Sequence, residues 1–301
     1  ELQERYLHPM ASGEEIWCQL FTEPGAGSDL AGIVTRAERD GDDWIVNGQK
    51  IWTSFAHLAD FAILLARTDP EVPKHQGLTY FVLDMKAPGV EVRPIRLVSG
   101  ESGLNEVFLT NVRVPDSHRV GPEGQGWKVA LTTLMNERLA VGTGYPTHFE
   151  DVMELACNLH DEDGPLIERG DIRDRLADWF VRANALKYTG FRLFSSLSRG
   201  ESPGPEASLG KLVLGRGRQE MGWLALEMLD ASGVILDSEN APLAAALQEA
   251  YFASIGDRIA GGTEEIMLNI IGERVLGLPP EIRVDKDVPF NQRHEHRSPE
   301  S

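Results

Sequence analysis

The sequence predicts a multidomain chain of mixed class: a β-barrel-like middle domain over residues 12–121, then a four-helix bundle over residues 122–280. Three observations predict it. From Glu14 to Asn111 the apolar residues recur mostly with period two, in short runs separated by Pro, Gly and Asp clusters. From Trp127 onward they recur at helical spacing. Between the two regimes, Pro115 to Gly126 is dense in proline and glycine, as a linker is. A length of 301 residues accommodates two domains, and 42% hydrophobic residues supply a core for each.

At the start, Glu1 to Pro9 reads as the end of a helix that Pro9 breaks. Trp44-Ile45-Val46, Asn47-Gly48 and Gln49-Lys50-Ile51-Trp52 then read as a hairpin closed by a type I′ turn. Phe61 to Ala66 is the longest apolar stretch and has the length of a buried strand. Leu78–Leu83, Val90–Leu97 and Val107–Val114 supply further strands.

In the helical part, Ala130, Leu134, Glu137 and Val141 fall on one stripe, and Ile172, Leu176, Trp179 and Phe180 on the next. A loop at Gly200 to Pro205 precedes a helix over Leu212 to Leu229. Thr263 is a good N-cap, with Glu264 and Glu265 in the first turn of a last helix that Gly277 and Pro279 end. The remainder, residues 281–301, is polar and reads as a disordered tail. His294 and His296 within it lack the further fixed ligands that a metal site needs, so no metal is expected.

The formal net charge of −18 argues against nucleic acid as the main partner. No apolar run approaches the length of a membrane span, so no membrane partner is expected. Two cysteines, Cys18 and Cys157, form no disulfide framework. No signal peptide is visible, and the cytoplasm is the default location.

The most informative stretch is Cys18 to Asp29, where Leu20 and Phe21 run into a Pro-Gly turn and a glycine-rich bend carrying Ser28 and Asp29. Glycines there let backbone N–H groups approach a ligand. Gly25-Ala26-Gly27 begins like a dinucleotide fingerprint, but the third glycine falls at Gly32, out of register. Glu137 shares its stripe with Ala130, Leu134 and Val141. Two readings follow: a carboxyl aimed into an apolar cavity, whose basicity rises, or one paired with Arg138 or reaching out at the helix edge.

Four ordered segments resemble the acyl-CoA dehydrogenase family over residues 1–280: Cys18 to Asp29, Ile51-Trp52-Thr53-Ser54, Asn136-Glu137-Arg138-Leu139, and Ala260 to Ile266. The resemblance implies FAD, held by Gln19, Phe21, Thr22, Trp52, Ser54, Gly261, Gly262 and Thr263. It implies an acyl-CoA substrate contacted by Ser28 and Arg138. Glu137 matches the α-proton base of the long-chain and isovaleryl branches, while the alternative base position is Gly261, which carries no acid. Electrons then pass to an electron-transferring flavoprotein.

The resemblance also implies an all-helical domain before this chain, with residues 1–11 looking like the end of its last helix. By that reading the chain is a fragment. Where the family carries an arginine for a neighbouring subunit's FAD, the matching stretch is His160-Asp161-Glu162-Asp163-Gly164-Pro165. A homo- or hetero-oligomer is therefore expected, with a flavin oxidase or reductase and a non-catalytic partner subunit as the alternative functions.

Overall fold

The structure is a computed structural model and describes every residue except 101, 143–148, 202–203, 205–206, 238, 284 and 294–301. The chain divides into a sheet unit, residues 1–133 with 281–301, and a helical unit, residues 134–280.

In the sheet unit, β1 (Trp17–Leu20), β2 (Arg36–Asp40), β3 (Asp43–Ser54), β4 (Phe61–Arg67), β5 (Leu78–Asp84), β6 (Val90–Ile95) and β7 (Leu104–Pro115) form one curled sheet. Its path runs β1-β4-β2-β3-β7-β6, and β5 pairs with β4 off that path. The apolar half of each alternating strand meets on the inside, where Leu20, Val46, Leu64, Phe81, Val107 and Val112 are all buried. No parallel dinucleotide-binding sheet surrounds Gly25 to Gly32; that segment is a tight turn, with Glu23 and Ala26 exchanging backbone bonds, followed by a short 3₁₀ turn at Leu30–Gly32.

Three sequence readings of the sheet unit need correction. Asn47-Gly48 is not a hairpin turn: β3 runs straight through it, and the turn lies at Gly41 (φ 65°), between paired Asp40 and Asp43. The β3–β7 ladder makes a register shift between Val46 and Gly48, and Asn47 Oδ1 accepts a hydrogen bond from Asn111 N at 2.8 Å. The local Asn-Gly preference is thus used for a bulge. A glycine is required there because an added Cβ would lie 2.2 Å from Thr35 Oγ1.

Pro9 does not end the first helix. Helix α1 (Leu2–Ser12) contains it and stops at Gly13 (φ 76°), whose N–H bonds to the Met10 carbonyl. Tyr6 fixes this helix to the sheet unit through edge contacts with Trp17 and Phe61 at 5.2 and 5.1 Å.

The C-terminal tail, as far as residue 293, is tied down. Phe290 N donates to Val72 O and Asn291 N to Pro70 O, both at 3.0 Å. His294 and His296 lie outside the described residues. The linker after β7 is likewise engaged, with Val120 N donating to Tyr80 O at 2.8 Å beside β5.

Helix α2 (Gly126–Gly142) starts in the sheet unit, where Tyr80 and Thr133 hydroxyls meet at 2.9 Å. In the helical unit, α3 (Phe149–Asn158), α4 (Gly170–Ser198), α5 (Ala207–Leu229) and α6 (Ala246–Asp257) share one core. Ile172, Leu176 and Trp179 enter it as their spacing predicts, but Phe180 is exposed, because the stripe continues at Ala183 instead. A short helix α7 (Glu264–Ile270) follows, capped by Thr263 Oγ1, which accepts from Ile266 N. Among the described residues, no helix is long and apolar enough to cross a membrane.

Gly48→Ala places its Cβ against the Thr35 backbone as well as its side chain. Overpacking of this kind costs about 1–3 kcal/mol. Urea denaturation should therefore show a lower midpoint with unchanged slope, and an unchanged midpoint would contradict the close approach.

Candidate functional site

The glycine-rich loop of the sheet unit is anchored by a buried ion pair. Lys50, fully buried on β3, donates to Glu23 Oε1 at 2.9 Å, Phe21 O at 3.0 Å and Leu65 O at 2.8 Å. Those bonds use every proton of its ammonium group. Glu23, at the head of the Pro24-Gly25 turn, also accepts from Val34 N at 2.6 Å and Thr35 N at 3.0 Å. Burial pushes the Lys50 ammonium down to about 8 against the pull of Glu23. Burial alone would raise the Glu23 carboxyl, but the Lys50 charge and the donors around it hold it below its ordinary value.

This pair brings together two of the segments identified in the sequence. Ile51 N donates to Thr22 O at 2.9 Å, which sets Thr22 beside the residue preceding Trp52. Trp52 has φ 62° and its side chain is half exposed. The β3–β7 register shifts between Lys50 and Thr53, so the indole sits on a second bulge that turns it out of the ladder. A left-handed backbone at a bulky aromatic costs about 1–3 kcal/mol, and such strain concentrates at functional positions. Fully buried Asn105 holds the bulge, its Nδ2 donating to Thr53 O at 2.9 Å. Phe21 is buried edge-on to Tyr80 at 5.8 Å. Gln19 is half-buried on β1, and Ser28 and Ser54 are exposed.

The helical unit holds the remaining sequence-predicted residues. Gly261 and Gly262 have φ 64° and 99°, which only glycine adopts freely. A Cβ on Gly261 would meet nothing within 4 Å, whereas one on Gly262 would strike Met267 Cε at 2.5 Å. The turn is locked by Glu264, whose carboxylate accepts from Arg258 Nε at 2.6 Å, Arg258 Nη2 at 2.9 Å and Arg216 Nε at 3.0 Å. The Arg258 fork holds that carboxyl below its ordinary value despite burial. Thr263 caps α7, as its position predicts.

Glu137, on α2, carries an Oε2 sealed from solvent that has no hydrogen-bond partner among the described residues. Of the two sequence readings, an exposed edge carboxylate does not describe this atom. An unpartnered buried carboxylate oxygen is costly, and a group of this type calls for an explanation, of which a catalytic role is one. Arg138 follows it on the same helix; its side chain lies outside what the structure describes.

Sequence reasoning did not single out Glu23, Lys50, Asn105 or Arg258, and it read Glu264 only as a first-turn acid. Lys50 did carry a signal, since it is a lysine at an inward position of an alternating strand, between Gly48 and the Trp52 bulge.

Family models for the acyl-CoA dehydrogenase middle domain and C-terminal domain match residues 18–112 and 124–276. The chain is 43% identical over 280 residues to the acyl-CoA dehydrogenase FadE34 of Mycobacterium tuberculosis, covering 92% of this chain and 37% of that protein. It is 38% identical to the acyl-CoA dehydrogenase IpdE1 of the same organism, covering 93% of this chain and 71% of that protein. Among solved structures it is similar to the ChsE4-ChsE5 complex of M. tuberculosis, with a TM-score of 0.83 and 33% identity over 93% of this chain and 73% of that chain. The chain thus spans little more than a third of the length of FadE34.

Lys50→Met leaves Glu23 buried without its cation, and breaking a buried pair in this way costs about 3–5 kcal/mol. The pH dependence should also change sign. In the unaltered protein the Glu23 contribution is present above the ordinary value of 4.5 and is lost as pH falls through its lowered folded value. In Lys50→Met, burial raises the folded value, so stability is instead lost as pH rises above 4.5. Urea midpoints measured between acid and neutral pH distinguish the two slopes.

Proposed function

The chain belongs to the acyl-CoA dehydrogenase family, and we propose that it dehydrogenates an acyl-CoA thioester between Cα and Cβ, with Glu137 as the α-proton base. The observation that carries this reading is the Oε2 of Glu137, buried and without a partner among the described residues. A carboxylate oxygen with no competing donor among the described residues is available to the proton of a bound thioester.

The residues present fit an FAD cofactor. Within the sheet unit, Trp52 presents a half-exposed aromatic face next to the Thr22–Ile51 bond. Within the helical unit, Gly261 and Gly262 present backbone with open space at Gly261. Thr22, Trp52, Ser54, Gln19 and Phe21 would line or support the ring, and Gly261, Gly262 and Thr263 would approach it with backbone and hydroxyl. Bound FAD would supply the two-electron acceptor for the β-hydrogen, which leaves as hydride.

Glu137 Oε2 removes the α-proton as that hydride leaves, so the carboxylate ends protonated and the substrate becomes the trans-2-enoyl thioester. Ser28 lies on an exposed bend suited to the thioester or pantetheine portion, and Arg138 is assigned to the substrate beside the base. Gly261, at the alternative base position, leaves that space clear of a second acid. Electrons then pass to an electron-transferring flavoprotein.

An oligomer is part of this reading, and one observation favours a hetero-oligomer. His160–Asp161 and Gly164–Pro165 pair as a small ladder with no arginine in it, and the nearby Arg169 is engaged by Asp171 and Asp161. A chain without that arginine would depend on a different neighbouring chain to complete a phosphate contact.

Anaerobic addition of acyl-CoA thioesters of varied length and branching should bleach the visible absorbance of the flavin-loaded protein. Glu137→Gln preserves shape but removes the base, so bleaching should slow by about 10²–10⁴-fold with substrate affinity nearly intact. Near-normal turnover in Glu137→Gln would overturn the assignment. Hydrogen peroxide produced at the rate of substrate oxidation in air would point instead to an oxidase.

A further inference from the structure

The C-terminal segment makes contacts with the sheet unit that none of the family motifs requires. From Asp285 to Arg293 it lies against two loops at once. Arg293 Nη2 donates to Asp29 Oδ2 at 2.9 Å and pairs with Asp285 Oδ2 at 3.0 Å. Lys74 Nζ donates to Asp29 Oδ1 at 2.9 Å and to Asp285 Oδ2 at 3.0 Å. Two cations and two carboxylates therefore alternate around a closed ring. Lys74 and Arg293 are largely buried, so water and salt screen the ring less than an ordinary surface pair.

A second tie runs through Arg67. Its guanidinium lies 3.4 Å above the Phe290 ring and donates to Ala31 O at 2.6 Å, Ile33 O at 3.1 Å and Lys74 O at 3.2 Å. Phe290 caps the side chain that holds the Ala31 and Ile33 carbonyls of the loop. At Gly32 an added Cβ would lie 3.0 Å from Asp29 Oδ2 and 3.5 Å from Arg293 Nη1, so the loop and the segment meet closely.

We propose that Asp285, Phe290 and Arg293 are positioning residues that hold the Ser28–Ile33 loop in its ligand-ready shape through Asp29 and Arg67. The consequence for acyl-CoA rests on the reading of Ser28 as a substrate contact. Gly25 and Gly27 have open surroundings, while Ala26 between them is buried and exchanges backbone bonds with Glu23. Glu23 ties the two ends of the bend together by accepting from Val34 N and Thr35 N, and the C-terminal segment holds Asp29 and, through Arg67, the Ala31 and Ile33 carbonyls between them. Loss of that segment's grip weakens binding equally in the ground and transition states, because the loop touches the thioester's carrier portion and not the reacting carbons.

Hydrogen exchange on the full chain tests the strap independently of activity. Phe290→Ala and Arg293→Gln should each speed exchange at amides 25–33 by roughly tenfold, as loss of a charge-assisted or desolvated contact implies. Amides of β3 and β4 should stay within about twofold, which separates local loosening from global unfolding. Arg293→Lys, which keeps the charge, should retain most of the protection. Loop exchange unchanged within about twofold in both variants overturns the proposal. In flavin-loaded protein the same variants should raise KM for acyl-CoA roughly tenfold with kcat within about twofold. Faster exchange with unchanged KM would also overturn the positioning role. If the unaltered protein oxidises no acyl-CoA, the proposed function fails, while the exchange result still decides whether the segment orders the loop.

Discussion

The buried pair between Lys50 and Glu23 is the interaction on which the rest of the sheet-unit site depends. A lysine on a central strand satisfies its ammonium only by collecting acceptors from separate parts of the chain: a loop carboxylate, the Phe21 carbonyl and the Leu65 carbonyl on β4. Glu23 in turn binds the backbone of Val34 and Thr35. One side chain therefore fixes both ends of the glycine-rich bend and docks it on β3. Replacing such a pair by apolar residues can be neutral for stability, but it would leave the bend without a defined position. Its role here is geometric, since it decides where Thr22 and Trp52 stand.

The strain at Trp52 follows from that docking. With Ile51 N committed to Thr22 O, β3 cannot continue its regular ladder to β7, and the chain bulges. The bulge leaves Trp52 in the left-handed region, and Asn105 secures the far side by binding Thr53 O. The indole is thus presented by a rigid strand rather than by a loose loop, the arrangement that holds an aromatic platform with little conformational freedom to lose on binding.

The sequence made much of the fold legible because alternation and helical spacing are written directly into burial: strands β4, β5 and β7 and helices α2, α4 and α5 all fall where their apolar periods place them. Local turn chemistry was a weaker guide. Asn47-Gly48 has the strongest hairpin signal in the chain, yet a ladder of pairs with β7 runs across it, and tertiary pairing overrode the local preference. Pro9 was overridden in the same way, where Tyr6 packs on the sheet and Gly13 supplies a better helix end. Phe180 was misplaced by a single position on its helix, because Ala183 gave no apolar bulk to mark the true stripe. Features with their own local signature were legible: the turn at the Pro-Gly bend and the Thr263 cap. Lys50 with Glu23, Arg258 with Glu264, and Arg67 with Phe290 were not, because an ion or stacking pair is defined by which distant partner it finds.

The return of residues 281–293 to the sheet unit makes that unit discontinuous, with the whole helical unit set between its parts. This bears on how the protein is born. The strands through Pro115 leave the ribosome first, and synthesis at about 5–20 residues per second delays the closing segment by the time needed to make everything from Leu134 to Pro280. Throughout that interval Asp29 and Lys74 have each other but not Asp285 or Arg293, and Arg67 holds its loop carbonyls without the Phe290 ring over it. The Ser28–Ile33 loop therefore gains its last contacts only when Arg293 has been made, and a nascent chain that terminates early has the strands without them.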